Sequence, residues 1–498
     1  MNEAASKSTS GNDALTGGVE RLDVEPVNKP EKRNLYKARD PIYPKRVRGA
    51  YRRLKWVIMV LTLGVYYLVP WIRWPRGPSE PDQAVLIDFP GSRFYFFFIE
   101  IWPDELYYVT GLLILAALGL FLATALFGRI WCGYSCPQTV WTDLYIAVER
   151  MVEGDRNQRI KLDRAPWSAT KLRKKATKHA LWILIGMATG GAWILYFHDA
   201  PSLARDFFVG RAPFSAYFYF TLLTFTTYVF AGSMREQVCT YMCPWPRIQA
   251  ALTDADTLQV TYRKDRGEPR GAHKKGDPWD GRGDCVSCRA CVAACPMGID
   301  IRDGLQLECI NCALCIDACD SIMEKVGRPR GLIAYDTDAN IASRAYGGAS
   351  SYRFVRPRVF LYLGALVLVS AIMLFSFTSR ATMNLSVQRD RAPPFVLLSD
   401  GAVRNAYTIK ITNRDNVPRD FILTFTADAD FAVGGVGDGV INNAMNITID
   451  GDETRPLRLF LTLPRDEIAA ARLPVKVTAR DETGIEASVG TVFLSEAK

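Results

Sequence analysis

Runs of about twenty apolar residues, separated by strongly basic stretches, most narrow what this chain can fold into. At 1.5 Å of rise per residue, such a run spans the ~30 Å hydrocarbon layer of a bilayer as a helix. Segments 56–72, 105–127, 179–197, 214–232 and 359–377 have this character, with aromatic residues at their edges. They predict five transmembrane α-helices. Core helices of a water-soluble protein would not account for five such runs.

The basic residues track the membrane. Residues 29–55 carry eleven Lys and Arg against two acids, and 156–178 carry nine against one. Segments 73–104 and 198–213 hold few basic residues and several acids. Cationic loops stay on the cytoplasmic side, so the N-terminus is expected in the cytoplasm and, after five spans, the C-terminus outside. The net charge of +9 then reflects topology and gives no support to nucleic-acid binding. The opening MNEAASKSTSGNDALTGG is polar and lacks the apolar core of a signal peptide. It reads as a disordered tail, and the first span as an uncleaved anchor.

All twelve cysteines belong to spaced motifs and, in this topology, face the cytoplasm or end helices on that side. That compartment is reducing, which favours metal or redox work over structural disulfides. CVSCRACVAACP (285–296) and CINCALCIDACD (309–320) each read Cys-x2-Cys-x2-Cys-x3-Cys. This is the run that wraps a [4Fe–4S] cluster, with the fourth cysteine reaching across to the other cluster. The rule assigns Cys285, Cys288, Cys291 and Cys319 to one cluster, and Cys309, Cys312, Cys315 and Cys295 to the second. Ser287, Ala290, Ala293, Ala294, Ala313 and Ala318 keep the loops slim. Pro296 ends the first run, whereas Asp320 stands at its counterpart. Two zinc sites would use the same ligands, but the doubled spacing favours iron–sulfur. TLQVTYR (257–263) and GLIAYDT (331–337) alternate like strands and predict a small ferredoxin-like α+β unit, with 267–283 an inserted loop. There is no haem-attachment motif, Rossmann fingerprint, P-loop or nucleophile triad. His179 and His198 have no histidine partner at i+4 and read as interfacial residues.

The other four cysteines form GRIWCGYSCPQTVW (128–141) and EQVCTYMCPWP (236–246). Cysteines four apart on a helix share a face. Both pairs follow spans that run inward, so Cys132, Cys136, Cys239 and Cys243 lie at one depth and converge if those helices are neighbours. A free buried cysteine is often only a small hydrophobe. The duplication, with Pro137 and Pro244 at matching places, argues for a site. Soft thiolates suit Cu(I), zinc or an iron–sulfur centre, and a dithiol–disulfide relay is the other chemistry. Met234 and Met242 stand near enough in sequence to add thioether ligation. Arg129, Asp143 and Glu236 are nearby charges, read as solvated or snorkelling rather than as ligands.

GRIWCGYSCPQTVWTD, EQVCTYMCPWPRIQ, the two four-cysteine runs and the order of the parts resemble the CcoG/FixG (RdxA) family, the cbb3-type cytochrome c oxidase accessory proteins. The resemblance covers nearly the whole chain after the N-terminal tail. It implies a bacterial inner-membrane protein with a cytoplasmic dicluster ferredoxin domain and a periplasmic immunoglobulin-like tail. It further implies reduction of Cu(II) to Cu(I) for assembly of the oxidase, with copper at Cys132, Cys136, Cys239 and Cys243. Copper is then the substrate, two [4Fe–4S] clusters are the cofactors, and oxidase assembly factors or a copper transporter or chaperone are the partners. The electron donor stays open, and a homodimer is possible. A NapH-like membrane ferredoxin linking quinol to a periplasmic reductase, and a non-enzymatic copper-binding scaffold, are the competing functions.

The tail supports the architecture independently. AYTIKIT (406–412), DFILTFT (420–426), MNITI (445–449), LRLFLTL (457–463) and PVKVTA (474–479) alternate like strands between turn clusters. They predict an antiparallel β-sandwich. Asn446-Ile447-Thr448 matches a glycosylation pattern but reads more simply as strand. The expected organisation is a disordered basic tail over 1–50, four spans with both Cys-x3-Cys-Pro motifs over 51–250, the ferredoxin-like unit over 251–345, a fifth span over 355–380 and the immunoglobulin-like domain over 381–498.

Overall fold

The apolar runs do fold as helices, but they are not equivalent. In the computed structural model, the described residues are 18–28, 40–76, 80–274, 278–415, 417–429, 431–435, 440–441, 444–468 and 470–495. The first unit (1–74 and 83–373) opens with α1 (Ala50–Leu68) and a three-stranded meander, β1 (Val85–Asp88), β2 (Arg93–Phe96) and β3 (Ile99–Ile101). There follow α2 (Tyr107–Phe127), α3 (Ile130–Tyr134), α4 (Pro137–Glu153), α5 (Arg156–Arg164), α6 (Ala169–Ile194), α7 (Ala200–Val209), α8 (Phe214–Thr227) and α9 (Trp245–Leu252). Between α8 and α9 the chain forms π-helical turns at Tyr228–Met234 and Val238–Met242.

Among the described residues, four helical stretches, Ala50–Trp71, Pro103–Phe127, Phe214–Met234 and Pro357–Thr378, are long and apolar enough to cross a membrane. The third expected span, 179–197, begins within α6, a 26-residue helix that falls below that apolarity. Lys178 and His179 fall within even its most apolar 18 residues, and its packing lowers apolarity further. Gly186 and Gly190 face α8, where an added Cβ would stand 3.0 Å from the Thr224 carbonyl oxygen and 2.6 Å from that of Phe220. Small residues four apart let two helix backbones approach closely, at the expense of hydropathy. Tyr66 and Tyr67 of α1 reach the Thr189 carbonyl (2.8 Å) and hydroxyl (3.0 Å), so α6 lies within the bundle.

The acidic residues of α4 are buried in ion pairs. Asp143 meets Arg52 at 2.7 Å and Lys55 at 3.7 Å; Glu149 meets Arg235 at 2.5 Å; Glu153 meets Lys175 and Lys178, each at 3.0 Å. Arg129, Asp143 and Glu236 are all less than a tenth exposed. The reading of these three as solvated or snorkelling charges is therefore corrected: protein partners, not water, surround them.

The ferredoxin-like part pairs β4 (Gln259–Tyr262) with β5 (Ile333–Asp336) antiparallel, Val260 opposite Tyr335. Around that ribbon stand α10 (Lys264–Gly267), α11 (Ala290–Ala294), α12 (Leu314–Lys325) and α13 (Asp338–Ala345), before α14 (Pro357–Thr378). The expected tail over 1–50 lies partly outside the described residues, at 1–17 and 29–39. Its described parts are docked. The Leu22, Val27 and Lys45 amides donate to the carbonyls of Cys288 (3.1 Å), Gly298 (2.8 Å) and Ala293 (2.7 Å), and Val19 is buried in the ferredoxin core. A few apolar residues among the charges are enough to anchor the strap.

The second unit (75–82 and 374–498) is a two-sheet antiparallel sandwich. Its strands are β6 (Met383–Arg389), β7 (Val396–Leu397), β8 (Val403–Asn413), β9 (Arg419–Ala427), β10 (Ala432–Gly435), β11 (Val440–Ile441), β12 (Ala444–Ile449), β13 (Thr454–Leu463), β14 (Arg472–Asp481) and β15 (Glu486–Leu494). One sheet runs β11-β10-β13-β8-β6 with β7 on β8, the other β12-β9-β14-β15. Along β14, Leu473, Val475, Val477 and Ala479 alternate inward, the period-two pattern of a sheet with one buried face. All five expected runs fall in strands; β6, β7, β10, β11 and β15 complete the sheets.

Candidate metal and electron-transfer site

Both Cys-x3-Cys-Pro motifs adopt one local design. Cys132 lies in α3, and Cys136 is the extended residue (φ −60°, ψ 128°) before Pro137 opens α4. Cys239 lies in the turn Val238–Met242, and Cys243 is again extended (φ −79°, ψ 123°) before Pro244. Proline bars its predecessor from the α region, so each second cysteine must leave the helix. The expectation that each pair shares a face of one helix is corrected: each motif is helix, break, helix.

The two breaks bring the four thiols together. Cys132 feels the charges of Cys136 and Cys243, and Cys239 feels Cys136, Cys132 and Cys243. Burial pushes the Cys132 and Cys239 thiols up to about 12. Cys132 donates to Gln249 Oε1 at 3.2 Å, and the fully buried Gln249 is steadied by Thr124 at 3.3 Å. The Arg129 guanidinium lies among these thiols and Cys309, donating to the carbonyls of Leu307, Cys309 (3.2 Å) and Pro246 (2.5 Å). Among the described residues, no three His, Cys, Asp or Glu side chains stand close enough to hold a single metal ion. Gathering one ion here requires the thiols to rotate.

The ferredoxin cysteines also lie close to one another. Cys319 feels Cys291, Cys288 and Cys285, whereas Cys315 feels Cys312, Cys309 and Cys295 foremost. The loops wind alike: Ser287 and Arg289 in the first run, and Asn311 and Ala313 in the second, all take positive φ between 52° and 60°. These residues stand two and four places after the first cysteine of each run. Repeated left-handed turns in non-glycine residues are strained and persist where the surroundings demand them. All eight thiols are free, and Cys291, Cys295, Cys309, Cys312 and Cys315 line one apolar cavity. Soft sulfur donors, three from one run and one from the other, fit iron–sulfur clusters, and the cavity opens among the second set with Cys291 beside it.

The second set and the membrane thiols share one seam. Cys132 and Cys239 pack against the same apolar cluster as Cys295, Cys309 and Cys312, with Met297, Ile310 and Leu314 at its centre. The approach is close because residue 133 is glycine: a Cβ there would stand 2.5 Å from the Ile310 carbonyl oxygen. Gly128, at φ +59°, likewise admits Asn311. Sequence reasoning missed Gly128, Gly133 and Gln249. No spacing rule marks them, because their partners are more than a hundred residues away.

A family model described as a 4Fe-4S dicluster domain matches residues 234–338, one described as a 4Fe-4S binding domain matches 109–152, and one for the IG-like fold at the C-terminal of FixG matches 373–496. The chain is 51% identical to nitrogen fixation protein FixG of Rhizobium meliloti (strain 1021), across 95% of this chain and 96% of that protein. The chain belongs to the FixG family. Within the family it is also 51% identical to protein RdxB and 46% identical to protein RdxA of Cereibacter sphaeroides, covering 92% and 96% of those proteins. The iron–sulfur models between them take in all twelve cysteines of this FixG-family chain.

Proposed function

We propose that this FixG-family membrane protein is an oxidoreductase that reduces Cu(II) to Cu(I) for the copper centre of a cbb3-type oxidase. The carrying observation is the seam that sets Cys132 and Cys239 against Cys295, Cys309 and Cys312. Two [4Fe–4S] clusters on Cys285, Cys288, Cys291 and Cys319 and on Cys309, Cys312, Cys315 and Cys295 would supply one-electron transfer when bound. Cys132, Cys136, Cys239 and Cys243 bind copper, and their soft sulfurs favour Cu(I) over Cu(II). Arg129 offsets thiolate charge, Gln249 orients Cys132, and burial excludes water. The cationic stretches 29–55 and 156–178 support an inner-membrane protein with its ferredoxin-like part in the cytoplasm and its immunoglobulin-like part in the periplasm. A copper transporter or chaperone and oxidase assembly factors are the proposed partners.

A second reading rests on the iron–sulfur model over 109–152, which takes in Cys132 and Cys136. In it the four membrane thiols hold a third iron–sulfur centre. One experiment separates the two. The Cys132→Ser, Cys243→Ser double variant, chemically reduced, should lose single-turnover copper reduction while keeping wild-type iron and sulfide content. Unchanged copper reduction sinks the first reading, and loss of about a third of the iron establishes the second.

A further inference from the structure

A wide apolar cavity, about 840 Å³, lies between α1 and α2 and ends on the ferredoxin-like part. Leu54 and Ile58 form one wall, and Ala116, Ala117 and Ala123 the other. Leu54, Ala116, Ala117 and Trp131 are exposed, so the mouth opens sideways onto the bilayer rather than to water. A ligand entering there must be lipid-soluble, and the volume suits a small organic molecule.

The floor is polar and specific. Tyr335, on β5, donates its hydroxyl to the Asn311 carbonyl at 2.7 Å. A carbonyl only accepts, so this bond consumes the Tyr335 proton. The Tyr134 hydroxyl, 3.4 Å from that of Tyr335, must then be the donor of that weak contact. The lone pairs of Tyr134 remain to accept from a hydroxyl in the cavity. Asn311 stands between Cys309 and Cys312, so a ring at Tyr134 is separated from the second cysteine set by Tyr335 and one peptide. Trp131 and Trp245 add flat aromatic surface. A lipid acyl chain could fill the walls but would leave the Tyr134 acceptor unmatched.

We propose that this cavity binds an isoprenoid quinol, whose ring hydroxyl donates to Tyr134, and that the quinol is the electron donor. The inference rests on the electron-transfer reading above and supplies its reductant. The balance is one quinol plus two Cu(II) giving one quinone, two Cu(I) and two protons. Electrons pass singly by way of the second cysteine set, and the protons leave to water past the half-buried Tyr51, whose ring lies 5.5 Å from that of Tyr335.

The test uses the iron-loaded full chain in phospholipid nanodiscs. Decylubiquinone should quench tryptophan fluorescence saturably, because Trp131 and Trp245 line the cavity, and decylubiquinol should reduce the iron–sulfur absorbance. Ala117→Trp, which fills the space, should weaken binding at least tenfold. Tyr134→Phe, which keeps the ring and gives up only the hydroxyl and its weak contact with Tyr335, should weaken decylubiquinol about two- to tenfold, the yield of one lost hydrogen bond, and decylubiquinone much less. Iron content shows whether each variant is folded. Non-saturable quenching, or saturable binding unchanged in both variants, overturns the site; occupancy by phospholipid alone, seen by native mass spectrometry, does the same. Dithionite-driven copper reduction is run in parallel. If it persists while quinol neither binds nor reduces, the donor falls and the copper reading stands. If it is absent while quinol binds and reduces the iron–sulfur chromophore, the copper reading falls and the site stands.

Discussion

Gly133→Ala tests the seam with a single methyl group. An added Cβ would meet the Ile310 carbonyl oxygen at 2.5 Å and the Asn311 carbonyl carbon and oxygen at 3.0 Å. All three are backbone atoms of the loop carrying Cys309 and Cys312, so no side chain can rotate away. Restoring ordinary contact, which begins at 3.4 Å, requires α3 and that loop to separate by about 0.9 Å. Overpacking of this kind costs about 1–3 kcal/mol. Alanine recovers about 0.5–1 kcal/mol of backbone entropy in a helix. At mid-range the clash wins, leaving a net loss of about 1 kcal/mol, a factor of about 5 in the folded/unfolded ratio. Gly64→Ala on α1, where a Cβ meets nothing within 4 Å, is the control and should be neutral or stabilising. Thermal unfolding of the iron-loaded protein, with single-turnover copper reduction, measures both consequences. Gly133→Ala should unfold at lower temperature and reduce copper more slowly at wild-type iron content. A Gly133→Ala protein that behaves like Gly64→Ala would refute the close approach and the reasoning built on it.

Arg129→Gln should destabilise the protein by about 2–3 kcal/mol by withdrawing a charged donor from buried carbonyls. Arg129→Lys should recover only part of this, because one ammonium cannot span Cys309 and Pro246 as the guanidinium fork does; full recovery in thermal unfolding would count against the bridging role. Acid should weaken copper binding. Burial holds Cys132 and Cys239 near 12, so both are protonated at neutral pH and must release a proton to bind metal. Cu(I) affinity should therefore rise about a hundredfold per pH unit between pH 6 and 8 from these two thiols, measured against a chromophoric Cu(I) chelator; an affinity independent of pH would exclude them as ligands.

What the sequence disclosed follows from the range of each constraint. Three cysteines of each ferredoxin run are placed together by local spacing, whereas Cys295 and Cys319 lie near the other run, and the strands of the sandwich announce themselves by alternation. The Cys-Pro breaks were also local: proline after Cys136 and Cys243 already forbids the helix that a four-residue spacing suggests. At these two positions the steric constraint of proline outweighs the four-residue period. The apolarity of the run 179–197 is harder to read for the opposite reason, since Gly186 and Gly190 serve a contact with α8 that hydropathy cannot show. Arg129, Gln249 and Tyr335 were illegible as site residues because each acquires its role from a distant partner. A charged, an amide and an aromatic residue carry no pattern of their own.

The seam also answers whether the two cysteine systems can move apart. Helix ends leave backbone groups without partners, and here elements beyond the bundle supply them. At the end of α2, the Ala125 carbonyl accepts from Thr257 (3.0 Å) and Arg356 (2.8 Å), and the Leu126 carbonyl from the Leu258 amide (3.0 Å). At the start of α1, the Tyr51 and Arg52 amides donate to Asp317 of α12, at 3.3 and 2.7 Å, and a carboxylate there also suits the positive end of the helix dipole. Swinging the ferredoxin-like part away would uncap both helices at once, in surroundings where water cannot readily replace the lost partners. Membrane bundle and ferredoxin-like part therefore behave as one body. The separation between Cys132 and Cys309 is set by folding rather than by a gating motion, so electron delivery to the membrane thiols should depend on occupancy of the sites and their potentials.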